Sequence, residues 1–316
     1  MKTRMLDILI CPGCLPEERA LTLEARERGL EGEVVDGDLL CPGCGARYPV
    51  LEGIALLVPD GGAAVERSAK AEARYESAAA VAAYLWSHYL DLLEETAEPT
   101  AYAAWGDMLT GTEGLFLDAG CAVGRLTFAM SGRFDFSVGV DLSYRFVKTA
   151  RRLMHTRSIT FDLPVEGRLC EQRAFHLPAE WNPERVEFLV ADAARLPFRS
   201  DVFAGLASLN LVDKMPKPLD HLREMDRVAR AAQAEWLFSD PFSWSTDVAK
   251  ESDWLGGTES GRFAGRGLEN VCALLRGDGQ ELRPWRIERP ADVWWRIRNH
   301  ENHFETIRSR TVKTVR

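Results

Sequence analysis

The stretch Leu115–Arg125, with the sequence LFLDAGCAVGR, constrains the fold of this chain more than any other. Its apolar start ends in an acid, small residues follow at alternate positions, and an apolar helical pattern begins at Leu126. A strand that passes through a tight glycine turn into a helix has this order, and such a turn lets the backbone approach a nucleotide-like ligand closely. Taken alone, the pattern is equally compatible with an ordinary turn between a strand and a helix.

Two further apolar segments end in an acid in the same way. Val138–Asp141 begins about 20 residues after the first strand, where doubly wound folds place a carboxylate that binds ribose hydroxyls. Val186–Asp192 is the third such segment, and it runs into Ala193. Three strands that end in acids in this order resemble the class I S-adenosylmethionine methyltransferases more than the nicotinamide enzymes.

This resemblance implies that the glycine turn passes beneath the methionine part of the cofactor S-adenosylmethionine. Asp118 would orient the turn or meet the amino group of the cofactor, and Asp141 would accept hydrogen bonds from both ribose hydroxyls. Asp192 and the backbone of Ala193 would receive the adenine amino group. For each acid alone, a helix N-cap is the alternative interpretation. The candidate cofactor contacts are Asp118, Gly120, Cys121, Ala122, Gly124, Arg125, Asp141, Leu142, Asp192, Ala193 and Asn210.

Two cysteine pairs of the form Cys-Pro-Gly-Cys stand near the start of the chain. Each glycine permits a tight knuckle that directs two thiolates at one ion, and four thiolates suit tetrahedral zinc. A module this small needs such a staple to fold, and a redox dithiol is the alternative. The predicted zinc ligands are Cys11, Cys14, Cys41 and Cys44. With the segment 46–59, they resemble the small zinc-ribbon family whose members activate tRNA, rRNA and protein methyltransferases as a separate subunit.

The sequence therefore predicts an α/β fold, a Rossmann-like seven-stranded class I methyltransferase sheet with a small N-terminal zinc-ribbon domain. Three parts are expected: a zinc ribbon over residues 1–58, a linker and helical lid over 59–99, and the methyltransferase domain over 100–316. Residues 60–64 have the composition of a linker, and 65–93 have helical spacing. The later elements are predicted as strands at 201–210 and 235–240, a helix at 218–231, and closing strands around 285–297 and 306–315, one of them antiparallel.

Charge and hydropathy limit the partners of this chain. The formal net charge of −9 argues against nucleic acid as the main partner. Residues 283–316 nevertheless carry nine Arg and Lys against four acids, which suits contact with phosphate or with an acidic group of a substrate. The N-terminus does not resemble a secretion signal, and no apolar run approaches membrane-spanning length. A cytoplasmic protein without a membrane partner is expected.

The catalytic region also resembles the methyltransferase domain of ovothiol biosynthesis, which methylates an imidazole nitrogen of 5-thiohistidine. The similarity in order and spacing extends from about Tyr84 to about His300, and several of its segments lie outside the cofactor motifs. Those segments are DAGCAVGR and VDLSYRF within residues 118–146, and then 163–169, 209–216, 239–244 and 254–257. The resemblance implies a histidine-like, thiohistidine-type acceptor.

For an imidazole acceptor, the expected reaction is in-line attack of a neutral ring nitrogen on the methyl group, without a covalent enzyme intermediate. Asn210, Asp213 and Asp240 stand at or just beyond predicted strand ends, where ligands bind in open α/β sheets. For two residues of the site described next, other interpretations are open: Trp244 could be a core residue, and Arg145 could cap a helix. The predicted acceptor site consists of Asn210 and Asp213, with Tyr89, Tyr144 and Trp244 as aromatic walls and Arg145 or Arg298 for the substrate carboxylate.

Two other functions stay open at this point. Some rRNA guanine methyltransferases also join a zinc ribbon to this fold, and an RNA methyltransferase would use the ribbon and the basic C-terminal end as its nucleic-acid surface. Leu209–Asp213 stands where an Asn-Pro-Pro-Tyr-type base-methylation motif would follow the fourth strand, which argues against this alternative. The third hypothesis is a partner-binding module that retains cofactor affinity. A small-molecule methyl acceptor is the expected partner, nucleic acid is less favoured, and the oligomeric state is left open.

Overall fold

The computed structural model describes residues 1–29, 32–58, 77–93, 100–288 and 290–316. The predicted linker at 60–64 and the first part of the predicted helical segment, residues 65–76, lie outside these ranges. The part of the helical segment that is described forms two helices, at Ala78–His88 and Leu90–Leu93. Among the helices of the described residues, none is long and apolar enough to cross a membrane.

The described residues begin with four strands, and both helices and strands follow. The strands are β1 (Thr22–Arg28), β2 (Val34–Leu40), β3 (Arg47–Leu51), β4 (Ile54–Leu57), β5 (Leu115–Ala119), β6 (Phe136–Asp141), β7 (Ser158–Glu166), β8 (Leu169–His176), β9 (Val186–Ala191), β10 (Phe203–Leu209), β11 (Glu235–Asp240), β12 (Arg286–Ile287), β13 (Ala291–His300) and β14 (His303–Val315). The α-helices are α1 (Ala78–His88), α2 (Leu90–Leu93), α3 (Ala101–Met108), α4 (Arg125–Met130), α5 (Tyr144–Thr156), α6 (Pro218–Val228) and α7 (Gly267–Leu275). Short 3₁₀ helices lie at Thr3–Asp7, Pro12–Cys14, Pro183–Arg185, Val212–Lys214, Glu251–Asp253 and Asp278–Gln280.

The central sheet has the strand order β9-β6-β5-β10-β11-β14. The first five of these strands are parallel, and β14 is antiparallel to β11. Both β12 and β13 pair with the other edge of β14. Counted as one interrupted edge strand, they complete the seven strands. The predicted fold class, with its antiparallel closing strand, is therefore confirmed.

The cysteine-containing module is joined directly to this sheet. Strands β1 to β4 form an antiparallel meander, and β4 then lies parallel to β9, with Leu56 opposite Val190 and Leu57 opposite Ala191. All four residues of β4 are buried, as expected for an apolar run covered on both faces. One twelve-stranded sheet therefore runs through both parts of the protein.

Buried charges also connect the N-terminal module to the methyltransferase sheet. Arg151 of α5 forms ion pairs with Glu187 of β9 and with Glu33 of the module. The side chains of Arg151 and Glu187 are 4% and 0% exposed, so each charge depends on the other for compensation. On the surface nearby, Lys148 of α5 pairs with Glu52 at 2.7 Å.

Helices cover both faces of the central sheet. Apolar side chains of α6 and α7 share one core cluster with Leu117 and Phe203 of the sheet. On the opposite face, α4 and α5 pack over Phe188. The sheet is thereby buried between two helical layers, and the carboxyl ends of its parallel strands are left as one continuous edge.

A β-hairpin that the sequence analysis did not predict is inserted between α5 and β9. Strands β7 and β8 pair with each other as a separate two-stranded sheet. Arg298 of β13 is bound to Glu171 of β8 at 2.9 Å, so the hairpin is attached to the closing strands. The segment 163–169, one of those that carry the ovothiol resemblance, lies in this hairpin.

Candidate functional site

Asp118 near the end of β5 organises the start of α4. Its Oδ2 atom accepts hydrogen bonds from the backbone N–H of Thr127 at 3.1 Å and from the Thr127 hydroxyl at 2.8 Å. The residue is 3% exposed. Burial raises the pKa of the Asp118 carboxyl to about 7, while its bonds to Thr127 act in the opposite direction. Of the two predicted roles of Asp118, this geometry supports orientation of the turn.

The glycine turn crosses the carboxyl end of the neighbouring strand β6. The backbone N–H groups of Gly120 and Cys121 both donate to the carbonyl of Val140, at 2.8 and 3.0 Å. Gly124 is the N-cap of α4 with a φ of 83°, and an added Cβ would lie 2.7 Å from the ring of Phe188. A side chain at this position would thus meet both backbone strain and a steric clash.

Asp141 connects the turn to the end of β6. Its Oδ2 accepts from the backbone N–H of Ala122 at 2.9 Å, and its Oδ1 accepts from that of Ser143 at 2.8 Å. Ser143 is the N-cap of α5. On the next strand, Asp192 accepts from the backbone N–H of Ala194 at 2.8 Å. Since β5, β6 and β9 are neighbours, the structure brings the three predicted acids to one edge of the sheet.

His221 is a buried residue of this edge that the sequence analysis did not identify. Its Nδ1 lies 3.0 Å from the carbonyl oxygen of Ala193, and its Nε2 lies 2.7 Å from the hydroxyl of Ser208. A carbonyl only accepts, so Nδ1 carries the proton and Nε2 accepts from Ser208. Burial lowers the pKa of His221 to about 4, which keeps the ring neutral. His221 therefore holds the Asp192–Ala193 turn in place. The one sequence signal for this role is that His221 stands on a helix face that is otherwise apolar.

Asn210 and two carboxylates form the other side of the edge, at the ends of β10 and β11. Asn210 has a φ of 53°, and its Oδ1 accepts from the Ser309 hydroxyl at 2.6 Å. Asp213 is 1% exposed, and its Oδ2 accepts from the Lys214 ammonium at 2.8 Å. The backbone N–H of Asp213 donates to Asp240 at 3.2 Å. Burial, and next the Asp213 charge, raise the pKa of Asp240 well above its usual range.

The segment after β11 folds back over this side. Asp213 also accepts from the backbone N–H of Ser243 at 2.9 Å. Trp244 is half-buried and stacks on Trp254, with ring centroids 6.1 Å apart and planes 13° apart. An added Cβ on Gly257 would lie 2.9 Å from Trp244. Residues from three separate segments, 209–216, 239–244 and 254–257, therefore make one wall.

Two predicted residues lie beneath the glycine turn. Tyr89 is fully buried, donates from its hydroxyl to the carbonyl of Val123 at 2.8 Å, and stacks on Phe175. Arg125 is buried and pairs with Asp91 at 2.7 Å. In this arrangement both residues support the turn from below, and their predicted contacts with ligands stay predictions.

The remaining predicted residues are spread along the edge. Leu142 is 63% exposed directly after Asp141, whereas Cys121 is buried within the turn. Tyr144 begins α5, where burial and then the nearby Glu52 raise the pKa of its hydroxyl, and Arg145 follows it on the exposed side. Arg298 is buried against Glu171, so a substrate carboxylate would have to compete with that pair.

The four predicted zinc ligands lie together at the far end of the N-terminal module. The Sγ atoms of Cys11 and Cys44 are 3.6 Å apart, as are those of Cys14 and Cys41, and all four lie within 4.8 Å of one another. Zn–S bonds of about 2.3 Å in a tetrahedron place sulfur atoms about 3.8 Å apart. Burial opposes ionisation of Cys41, but the N–H groups of Cys44 and Gly43 lower the pKa of its thiol to about 7. The cluster is compatible with zinc.

Comparison with known proteins gives one family match. Residues 117–232, which include the glycine turn and the ends of β6, β9 and β10, match a family model described as a methyltransferase domain. No curated protein matches the chain.

Several solved structures are similar to parts of this chain. One is the YcgJ protein of Bacillus subtilis, at 13% identity and a TM-score of 0.45, covering 68% of this chain and 97% of that one. Another is a SAM-dependent methyltransferase of Aquifex aeolicus, at 14% identity and a TM-score of 0.39, covering 72% and 91%. A third is a complex that contains the Haloferax volcanii Trm112 methyltransferase activator, at 14% identity and a TM-score of 0.44, covering 75% and 93%.

The family match falls on the part of the chain where the three acidic strand ends and the glycine turn meet. The sheet around it has five parallel strands and one antiparallel closing strand, as the predicted fold class expects. Residues 117–232 match a methyltransferase domain, and the protein is an S-adenosylmethionine-dependent methyltransferase.

Proposed function

We propose that the protein transfers the methyl group of S-adenosylmethionine to a ring nitrogen of a small, histidine-like imidazole of the thiohistidine type. The observation that carries this proposal is the wall built by residues 209–216, 239–244 and 254–257. These segments carry the resemblance to the ovothiol methyltransferase domain, they are separated in sequence, and they contact each other at the carboxyl ends of β10 and β11. We take that position to be the acceptor side of the proposed cofactor site.

The strand-end acids suit the cofactor in this proposal. The ribose hydroxyls would be bound by Asp141, and the adenine amino group by Asp192 and the backbone of Ala193. Asp118 would hold the turn against the methionine part. When bound, S-adenosylmethionine supplies an electrophilic methyl group on a positively charged sulfur.

The protein's part in the reaction is to position the acceptor and to exclude water. A neutral ring nitrogen attacks the methyl carbon in line, the N–CH3 bond forms as the S–CH3 bond breaks, and the ring then loses its N–H proton. Asn210 and Asp213 are the polar groups proposed to orient the ring, and Trp244 is its proposed aromatic wall. No covalent enzyme intermediate is required.

The basic C-terminal segment favours a small acceptor over RNA. Within its described part, seven of the eight Arg and Lys residues of 283–316 are within ion-pair distance of acids of this chain. The eighth, Arg296, lies over the rings of Trp86 and Phe304. Because seven of these eight charges are paired with acids, the described part of the segment offers little of the unpaired cationic surface that phosphate binding favours.

We further propose that the N-terminal module holds one structural zinc ion through Cys11, Cys14, Cys41 and Cys44. The sulfur distances support this assignment, and in a module of this size a metal contributes directly to folding. Because β4 of the same module pairs with β9, loss of the metal is expected to loosen the edge of the sheet beside Asp192.

Methyl transfer from S-adenosylmethionine with a tritiated methyl group tests the proposal. The zinc-loaded protein is offered histidine, 5-thiohistidine and related imidazoles, and in parallel undermethylated ribosomal and transfer RNA. We expect label on a small imidazole, lost in Asp141→Asn and retained in Arg286→Gln, a change on the exposed surface. Label on RNA alone would overturn the acceptor assignment and leave the methyltransferase assignment intact.

A further inference from the structure

Four aromatic side chains form a cluster beside the glycine turn, and this cluster has no role in the site described above. The aromatic cluster consists of Tyr84 and His88 of α1, Tyr102 of α3 and Trp295 of β13. The His88 ring lies 3.9 Å from that of Tyr102, 5.3 Å from Tyr84 and 6.3 Å from Trp295, measured between centroids. His88, Tyr102 and Trp295 are buried, and Tyr84 is half-buried.

One end of the aromatic cluster reaches the end of β6. The ring of Tyr84 packs on that of Phe146, with centroids 4.7 Å apart. The backbone N–H of Phe146 donates to the Ser143 hydroxyl at 3.2 Å, and Ser143 is itself bound to Asp141. Two residues, Phe146 and Ser143, therefore connect the cluster to Asp141, the carboxylate proposed to bind ribose.

The other end reaches the end of β10. Trp295 and Val293 alternate with exposed residues on β13 and share its buried face. Val293 pairs with Ser309, and the Ser309 hydroxyl donates to Asn210. The aromatic cluster is thus linked through intervening residues to Asp141 at one end and to Asn210 at the other.

Two polar atoms of the aromatic cluster are unsatisfied. The Nδ1 of His88 and the Nε1 of Trp295 are both buried, and neither has a hydrogen-bond partner among the described residues. Folded proteins keep few such groups, because each loses its hydrogen bonds to water without replacement. Two in one aromatic cluster, at the edge of a methyltransferase site, indicate a place for a ligand with complementary polar atoms.

We propose that the aromatic cluster binds the methyl acceptor, and that His88 Nδ1 accepts the N–H of its imidazole ring and receives that proton during transfer. This inference rests on the proposed function, because it takes the acceptor to be a small neutral imidazole. The indole N–H of Trp295 would donate to a second polar atom of the acceptor. The acceptor would enter the cluster past Tyr84, which is half-buried.

The hydrogen bond from His88 to Tyr102 is consistent with this role. Nε2 of His88 lies 2.7 Å from the Tyr102 hydroxyl oxygen. When Nε2 carries the ring proton and donates a hydrogen bond to that oxygen, Nδ1 has a free lone pair. Burial, and next the charge of Arg125, lower the pKa of His88 well below its usual value, so the ring is neutral at neutral pH and Nδ1 can accept a hydrogen bond.

Bond formation, bond breaking and proton transfer all take place within the proposed site. The acceptor nitrogen that faces the cofactor attacks the methyl carbon, the N–CH3 bond forms, and the S–CH3 bond breaks with its electron pair left on sulfur. The proton on the other ring nitrogen passes to His88 Nδ1 and later to solvent. While the product ring still carries its positive charge, the faces of Tyr84 and Trp295 stabilise it through cation–π contact.

Two isosteric changes of His88 test the proposal, because they retain different nitrogens. His88→Gln keeps a polar group near Nε2 and its bond to Tyr102 but removes Nδ1. His88→Asn keeps an acceptor near Nδ1 that cannot take up a proton. For the imidazole that the wild-type protein methylates, we expect His88→Gln to lower kcat about 100-fold or more and to raise KM. His88→Asn should lower kcat to a similar extent with KM within about twofold of wild type.

Three further measurements keep the test independent of folding. Binding of S-adenosylhomocysteine to each variant should stay within about twofold of wild type. Trp295→Phe, which removes the indole N–H together with one of the two rings, should raise KM. The kcat of wild type should fall at low pH, and this fall should be absent in His88→Asn. His155→Gln, an exposed histidine of α5, serves as the matched control.

The outcomes separate the two proposals. Transfer to imidazoles by wild type, together with kcat values for both His88 variants within threefold of wild type, overturns the role of His88 while the proposed function stands. A KM unchanged by Trp295→Phe overturns the placement of the acceptor in the aromatic cluster. Failure of the wild-type protein to methylate any imidazole overturns the proposed function, and the inference with it.

Discussion

Asp118→Asn is the substitution whose effect on stability can be worked out most fully from the structure. Burial raises the pKa of Asp118 from 3.8 to about 7. In the unfolded chain the carboxyl ionises near its ordinary value, so between about pH 4 and about pH 7 the folded protein holds a proton that the unfolded chain has lost. The stabilisation is complete below about pH 4, and it is lost as the pH rises to about 7. The difference between the two pKa values corresponds to on the order of 4 kcal/mol of unfolding free energy.

The amide of Asp118→Asn removes this pH dependence without removing the structural role. Its oxygen can still accept both hydrogen bonds from Thr127, since both end on one oxygen atom. Urea unfolding of the cofactor-free protein at pH 5, 6, 7 and 8 should show the variant gaining on wild type as the pH rises. The advantage should approach a few kcal/mol at pH 8, and Asp192→Asn, the same change at a half-buried strand end, is the control. Parallel pH curves for variant and wild type, or a variant less stable at pH 8, would refute the reasoning.

Three further changes probe other parts of the account. Gly124→Ala should cost about 2–4 kcal/mol of unfolding free energy in urea titration, because φ is 83° and the new Cβ meets the Phe188 ring. Arg151→Met leaves buried Glu187 without its Arg partner, so the melting temperature should fall by an amount equivalent to about 3–5 kcal/mol. Cys41→Ser, or removal of metal by a chelator, should release one equivalent of zinc, read by atomic absorption, and lower the melting temperature.

Each of these changes has a matched control that isolates its cause. Gly167→Ala also places a side chain at positive φ, but nothing lies within 4 Å of the added Cβ, so only the strain should be measured. Lys148→Met breaks an exposed ion pair and should cost less than about 1 kcal/mol. Cys272→Ser lies outside the sulfur cluster and should retain the metal. Equal effects of a change and its control would contradict the physical cause given for it.

Local patterns allowed the edge of the sheet that carries the three acids to be predicted from sequence. Asp118, Asp141 and Asp192 each follow an apolar strand, and parallel strands with helical crossovers necessarily bring their carboxyl ends to one edge. The cysteine pairs are equally local, because each knuckle is closed within four residues. These predictions needed no knowledge of which distant residues come together.

The features that the sequence did not reveal depend on contacts between distant segments. The pairing of β4 with β9 joins residues more than 130 positions apart, so the N-terminal module could not be recognised as an extension of the sheet. Arg298 was predicted to bind a substrate carboxylate, but Glu171, which neutralises it, lies on an inserted hairpin far from it in sequence. The unsatisfied Nδ1 of His88 can be identified only once all of its surroundings are known.

The claim at the centre of this account is that the strand-end acids hold the cofactor. Calorimetric titration of S-adenosylhomocysteine into the wild-type protein and into Asp141→Asn tests it directly, since the carboxylate is proposed to bind both ribose hydroxyls. We predict one binding site per chain for wild type and an affinity at least about tenfold lower for Asp141→Asn in a protein that remains folded. Equal affinities for the two proteins would contradict the claim.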